Sequence, residues 1–286
     1  MAVFIGSEAM ARGELTRHDL RTHHRRLLPD VYALKHQKLT LTDKATAAYL
    51  WSHRQAVVAG LAASALHGAR WVGLQAPVEL VWPNHRAPTG VITRNDTLLN
   101  DEITRRSGLD VTTVERTAFD LARRGTIGEA VARLDALQQA TRFEAESVLA
   151  LAERHPRNRG LKRMPLVLDL MDIGAQSPQE TWLRMLLIEQ GFPRPETQIP
   201  VLRADRYSYY YLDMGWEDLG VAVEYDGEHH RKDPETYRND IIRMEYVQRV
   251  GWIVVRVVAK TPKRVILARV RAALQEASRL KVRAAS

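Results

Sequence analysis

Residues 177–226 read SPQETWLRMLLIEQGFPRPETQIPVLRADRYSYYYLDMGWEDLGVAVEYD, and this stretch decides the fold of the C-terminal part of the chain. Ser177, Pro178 and Glu180 have the spacing of an N-cap, an N1 proline and an N3 acid, the residue types that serve the free N–H groups of a first helical turn. Gly191 supplies the residue that ends such a helix. The spacing predicts a helix of about 13 residues with Trp182, Leu183, Leu186 and Leu187 on one face. Three strands are expected next, over 197–202, 208–216 and 220–226. Their short connections admit only antiparallel neighbours.

Working outward, a helix is expected over 235–250, stopped by Gly251. WIVVRVVA at 252–259 is apolar except for Arg256, the pattern of a central strand covered on both faces. A basic helix over 262–280 closes the chain. The order helix, three strands, helix, strand, helix describes an α/β sandwich around a mixed sheet. Upstream, HPRNRG at 155–160 reads as a linker, giving a basic element over 1–40, a mixed helical and strand domain over 41–160, and an α/β domain over 161–286. The overall class is α+β. Within the front half, RRLLPDVYALKH reads as a tight turn between two short strands, 45–69 as one Ala/Leu-rich helix, and 78–83 and 90–96 as strands. Thr112 with Glu115, and Thr141 with Glu144, have capping-box spacing ahead of two further helices.

The chain has 286 residues, a net charge of +8 and no cysteine, which excludes disulfide frameworks, zinc ribbons, iron–sulfur centres and thiol nucleophiles. Its apolar runs fall short of a membrane span and its N-terminus lacks the form of a signal peptide, so a cytoplasmic protein is expected. The charge is unevenly distributed. Asp213 to Glu235 holds eight acids against two bases, whereas Arg256 to Arg283 holds nine bases against one acid.

Side chains alternate along a strand, so Glu224 and Asp226 share a face, and Asp213 on the neighbouring strand can join them. Two carboxylates about 4 Å apart repel by roughly 4 kcal/mol at an effective dielectric near 20. The strand sequences supply no nearby cation to offset this. Such a cluster is held by a hard divalent metal or by protonation of one member, and oxygen ligands favour Mg²⁺ or Mn²⁺. Glu180 is equally well explained as a capping residue, and Asp226-Gly227 as a turn.

Glu180 on a helix, Asp213 and Glu224-Tyr225-Asp226 on strands, and the helix, strand and helix that follow resemble the PD-(D/E)XK nuclease core. More narrowly, residues 177–280 resemble a bacterial branch related to very-short-patch-repair endonucleases. The resemblance implies metal-dependent hydrolysis of DNA phosphodiesters, with Asp213 as the Asp of the motif, Glu224 as the acid of its (D/E)-x-K step and Glu180 as the acid of the first helix. In an active site, Asp213, Glu224 and Asp226 are expected to hold one or two Mg²⁺ ions against the scissile phosphate. Two positions depart from the motif: Leu212 replaces its proline, and Asp226 stands where its lysine would be. His229, His230 and Lys232 lie just beyond, with His230 the best counterpart of a histidine in the repair relatives. His230 or Lys232 would orient water or neutralise the leaving oxygen. Arg243 and, on the last helix, Lys263, Arg264, Arg269 and Arg271 are expected to contact DNA phosphates.

The segments RRLLPDVYAL, AASALHGARW, VELVWP and VTTVERTAFDLARRG resemble the abortive-infection type IV antitoxin family. That resemblance implies a winged-helix element, truncated here, whose hairpin carries Arg25 and Arg26 to the DNA backbone. Two functions are therefore expected to compete. One is a metal-dependent DNA endonuclease targeted by its front half. The other is an antitoxin-type DNA-binding regulator with an impaired nuclease-like domain. DNA is the expected partner in both, and a homodimer or a partner toxin stays open.

Overall fold

The computed structural model describes residues 3–84, 86–227 and 234–284. His229, His230 and Lys232 therefore lie outside the described residues. The chain is mixed α and β and divides into two compact units, Met1–Met171 and Asp172–Ser286. No helix among the described residues is long and apolar enough to cross a membrane.

The first unit opens with β1 (Val3–Ile5), α1 (Gly6–Ala11), α2 (Arg17–His23), β2 (His24–Leu28) and β3 (Val31–Leu34). The strands form a three-stranded sheet, β1-β3-β2. The expected hairpin is β2–β3, turning at Asp30, whose φ of 59° is a left-handed conformation that Asp tolerates. Ser7 donates to Asp30 from its backbone N (3.0 Å) and its hydroxyl (2.5 Å), fastening α1 to that turn.

The Ala-rich stretch 45–69 is not one helix. It is the end of α3 (Leu41–Trp51), then β4 (Val57–Ala59) and α4 (Gly60–Leu66). His53 and Arg54 take φ of 54° and 65°, which breaks the helix, and β-branched Val57 and Val58 extend the chain after it. The unit continues with β5 (Val78–Val81), β6 (Val91–Arg94), β7 (Ile103–Arg106), β8 (Leu109–Thr112), α5 (Val114–Ala122), α6 (Ile127–Thr141), α7 (Ala145–Glu153) and α8 (Met164–Asp169). The strands β4 to β8 make a five-stranded sheet, β6-β5-β4-β8-β7. Two capping expectations shift: Thr113, not Thr112, caps α5, and Thr141 ends α6 rather than starting α7.

The first unit runs past the 155–160 segment because α8 buries Met164, Val167 and Leu168 and packs against α5, α6 and α7. Its core also holds a charged network. Arg116, fully buried, donates to Glu102 (2.5 Å) and Asp120 (3.3 Å), and His155 Nε2 meets the other Glu102 oxygen at 2.6 Å.

The second unit contains α9 (Pro178–Glu189), β9 (Glu196–Leu202), β10 (Tyr209–Trp216), β11 (Val221–Asp226), α10 (Pro234–Arg249), β12 (Ile253–Val258) and α11 (Lys263–Ala284). The sheet order is β12-β11-β10-β9, with antiparallel β9–β10–β11 and parallel β11–β12. A parallel neighbour needs a crossover, and α10 provides it. β12 is thus an edge strand, not the central strand its apolar run predicts. It is apolar because helices cover both of its faces. Val255 and Val257 pack with Leu183 of α9 and with Ile266 and Val270 of α11, while Val254 packs with Val247 of α10.

Candidate functional site

Strand β10 changes the side it presents at Asp213. Leu212 packs with Val247 of α10, whereas Met214 and Trp216 pack with Leu183 and Leu187 of α9. A regular strand would put Leu212 and Met214 on one face. The ladder to β9 pairs Leu212 with Ile199 and Met214 with Thr197, and passes over Asp213 and Gln198. Gln198 has a φ of 52°, a conformation rare for a side-chain-bearing residue in a strand. On the other side, the β10–β11 ladder ends at Met214–Val223. Beyond it the backbone N–H of Tyr225 donates to Asp213 Oδ2 (2.8 Å). Gly215 permits the close strand approach here, since a Cβ would lie 2.2 Å from the Val221 carbonyl oxygen.

Asp213 lines a cavity of about 680 Å³ together with Glu180, Glu224, Asp226, Asp240 and the guanidiniums of Arg203, Arg243 and Arg256. All four acids of the expected site thus meet in one place, on α9, β10 and β11. Glu180 keeps its capping role as well: Ser177 Oγ donates to Glu180 Oε1 (2.8 Å), and Glu180 Oε2 accepts from Gln176 N (2.8 Å). Burial, then the nearby charges of Glu180 and Glu224, push the Asp213 carboxyl up to about 7; the Tyr225 N–H and Arg243 pull it the other way.

The expectation that no cation offsets these acids is overturned. Arg243 of α10 grips both oxygens of Glu224, which is only 5% exposed, and also donates to the Tyr211 carbonyl (2.8 Å). Arg256 of β12, level with Glu224 in the register, bonds Asp226 (3.2 Å) and Asp240 (2.7 Å). Arg243 accordingly lines the pocket as a partner of Glu224. Burial pulls the Arg243 guanidinium down, but Glu224, Asp240 and Asp213 more than offset this and leave it above its ordinary value.

Asp240 and Arg256 are site residues that strand reasoning missed, and Arg243, expected as a phosphate contact, also holds a carboxylate of the site. Two signals pointed to them: the i,i+3 pair Asp240/Arg243 on the helix after the acidic strand, and a lone Arg256 in an apolar strand. The other expected DNA contacts are exposed. Arg25 and Arg26 lie on β2, with Arg25 donating to the Gln37 carbonyl (2.7 Å). Lys263, Arg264, Arg269 and Arg271 face outward from α11, whose Ile266, Val270, Ala273 and Ala277 face the core.

The donor set of Glu180, Asp213, Glu224 and Asp226 is all oxygen, and the burial and carboxylate repulsion that together raise Asp213 are ones that a hard divalent cation would offset. In chemistry these residues fit Mg²⁺ or Mn²⁺. With Glu224 and Asp226 turned to their arginines, no three His, Asp or Glu side chains among the described residues gather closely enough to hold an ion together.

No family model matches the chain. It is 30% identical over 161 residues to two uncharacterized proteins of Mycobacterium tuberculosis, MT2308 and Rv2248. The match covers 56% of this chain and 59% of each relative. Among solved structures, the RV2827C protein of Mycobacterium tuberculosis is similar with a TM-score of 0.39 at 16% identity, over 72% of this chain and 85% of that one.

Proposed function

We propose that the second unit is a metal-dependent DNA endonuclease of the PD-(D/E)XK kind, working in the cytoplasm. The observation that carries this reading is the convergence of Glu180, Asp213, Glu224 and Asp226 on one cavity, with the Asp213 carboxyl raised to about 7 by burial and its neighbours. A Mg²⁺ or Mn²⁺ ion held by Asp213, Glu224 and Asp226 would polarise the phosphate and activate water. The chain's own cations then do the positioning. Arg243 and Arg256 hold Glu224 and Asp226 in place and bring guanidinium groups, suited to bidentate phosphate recognition, to the same cavity. His230 or Lys232 is proposed to assist the water or leaving oxygen. The exposed bases of α11 contact the DNA backbone, and Arg25 and Arg26 of the β2–β3 hairpin anchor a sequence-independent targeting element.

One observation favours the second reading, an antitoxin-type DNA-binding regulator with an impaired nuclease-like domain: two of the three proposed metal ligands are already paired with arginines. Supercoiled plasmid incubated with the pure protein separates the two. Nicking in Mg²⁺ or Mn²⁺ that EDTA stops, and that Asp213→Ala abolishes while gel-shift binding persists, is the expected result. Salt-sensitive shifts without cleavage in any metal would establish the regulator, and unchanged cleavage by Asp213→Ala would remove the site assignment.

A further inference from the structure

A second cavity, of about 380 Å³, is lined by Gln179, Trp182, Tyr225, Val258, Lys260 and Thr261, and Tyr225 lines the carboxylate cavity too. Helix α9 serves both. Glu180 lines the first and Trp182 the second, as two positions about 200° apart around a helix should. The other large apolar residues of this part of α9, Leu183, Leu186 and Leu187, are buried, whereas Trp182 is 39% exposed. An indole left part-exposed at a cavity that Tyr225 also lines is surface suited to a flat partner.

Charge separates the two cavities. Five carboxyls line the first, and none of the described residues lining the second is acidic. Its one charged residue, Lys260, sits in the turn between β12 and α11, and exposed Lys263 and Arg264 follow in the first turn of α11. The volume is in the range of small-molecule sites, which begins at about 300 Å³. The cavity also lies past the carboxyl ends of the parallel strands β11 and β12, the end of such sheets where ligands bind.

We infer that this second cavity is a nucleobase subsite that receives one unstacked base of a DNA strand, against the ring of Trp182 and with its phosphate toward Lys260. The inference rests on DNA being the ligand of the neighbouring site and adds what form of DNA is taken. A base in a duplex must leave its stack to enter, so single-stranded or frayed DNA is preferred. Every base has a π-face, so stacking is tolerant of sequence. Gln179 offers an amide donor and acceptor to a base edge.

The test uses the full chain in EDTA, with a short deoxythymidine oligonucleotide and a duplex of equal length as probes. Single strand should quench tryptophan emission, and Trp182→Phe should lose most of that quenching while keeping most of the affinity. Trp182→Ala should weaken single-strand binding about tenfold. Lys260→Ala, at an exposed position whose left-handed φ of 66° Lys and Ala bear about equally, should weaken it and flatten its salt dependence. Equal affinity for single strand and duplex, or wild-type binding by both Trp182→Ala and Lys260→Ala, overturns the subsite. Because no metal is present, the outcome is independent of the plasmid assay. Quenching without nicking would discard hydrolysis and keep the subsite, and nicking without any Trp182 effect would do the reverse.

Discussion

The backbone N–H of Tyr225 donates to Asp213 Oδ2 at 2.8 Å, just past the last paired residues of β10 and β11, so a carboxylate continues the ladder where a carbonyl would otherwise stand. An acid used in this way is fixed in position, half-buried and close to Glu180 and Glu224. Its properties, more than those of any other residue, report on the state of the site.

A raised carboxyl pKa makes stability depend on pH in a definite direction. The folded form of Asp213 titrates at about 7 and its ordinary value is 3.8. The folded state therefore binds the proton more tightly than the unfolded state. That contribution is complete below about pH 4 and is lost as pH rises through 7, at up to about 1.4 kcal/mol per pH unit. Asp213→Asn removes it. In EDTA the melting temperature of the wild type should fall relative to Asp213→Asn between pH 4 and 8. Parallel profiles would show that Asp213 does not titrate in this window.

Divalent metal should act on the same property in the opposite sense. At pH 8, Mn²⁺ at about a hundred times its dissociation constant should stabilise the wild type by about 2.7 kcal/mol. Asp213→Asn should gain far less. Thermal melts in a Mn²⁺ series, with Ca²⁺ for comparison, measure this without any substrate.

Arg243→Met leaves Glu224 buried without its guanidinium. Breaking such a pair costs about 3–5 kcal/mol, whereas replacing both partners is much milder. Urea unfolding should show Arg243→Met strongly destabilised and the double variant Glu224→Gln, Arg243→Met largely recovered. A double variant as unstable as the single one would mean that Arg243 stabilises through its Tyr211 carbonyl bond instead.

Gly215→Ala inserts a methyl against the Val221 carbonyl and should cost about 1–3 kcal/mol as the strands are forced apart. The displacement falls two residues from Asp213. Amide exchange at Tyr225 should therefore quicken more than the global destabilisation accounts for, and exchange that tracks global stability would argue that the Asp213 contact survives.

In the first unit, Arg116→Met removes one partner each from buried Glu102 and Asp120, which keep His155 and the Arg123/Arg124 pair, and should destabilise by about 1–3 kcal/mol. Circular dichroism melts check this, and a change below about 1 kcal/mol would mean that the network is readily replaced by apolar packing.

The second unit was legible wherever local chemistry dictates the backbone. Ser177, Pro178 and Gly191 mark α9, and apolar and aromatic runs joined by short connections mark β9 to β11. The acids of the site were legible for the same reason, since strand periodicity puts Glu224 and Asp226 on one face. Their partners were not, because Arg243 and Asp240 reach the pocket through a crossover helix, and proximity across a crossover leaves no local pattern. The place of β12 at the edge was hidden similarly: apolar periodicity reports covered faces, not hydrogen-bonded neighbours. In the first unit, the alanines of 45–69 favour a helix, but the left-handed His53 and Arg54 break it. Arg116, Glu102 and Asp120 are charged residues that composition assigns to the surface, and only tertiary pairing makes them core.

The cavity around Asp213 carries its own counterions, with five carboxyls facing three guanidiniums. An incoming phosphate is thus not merely added to an acidic hole. It can take over a guanidinium from a carboxylate, and the released carboxylate becomes available to a cation arriving with it. Anion and cation would then enter by partner exchange, each making the other's place. Occupancy by the two should then be cooperative.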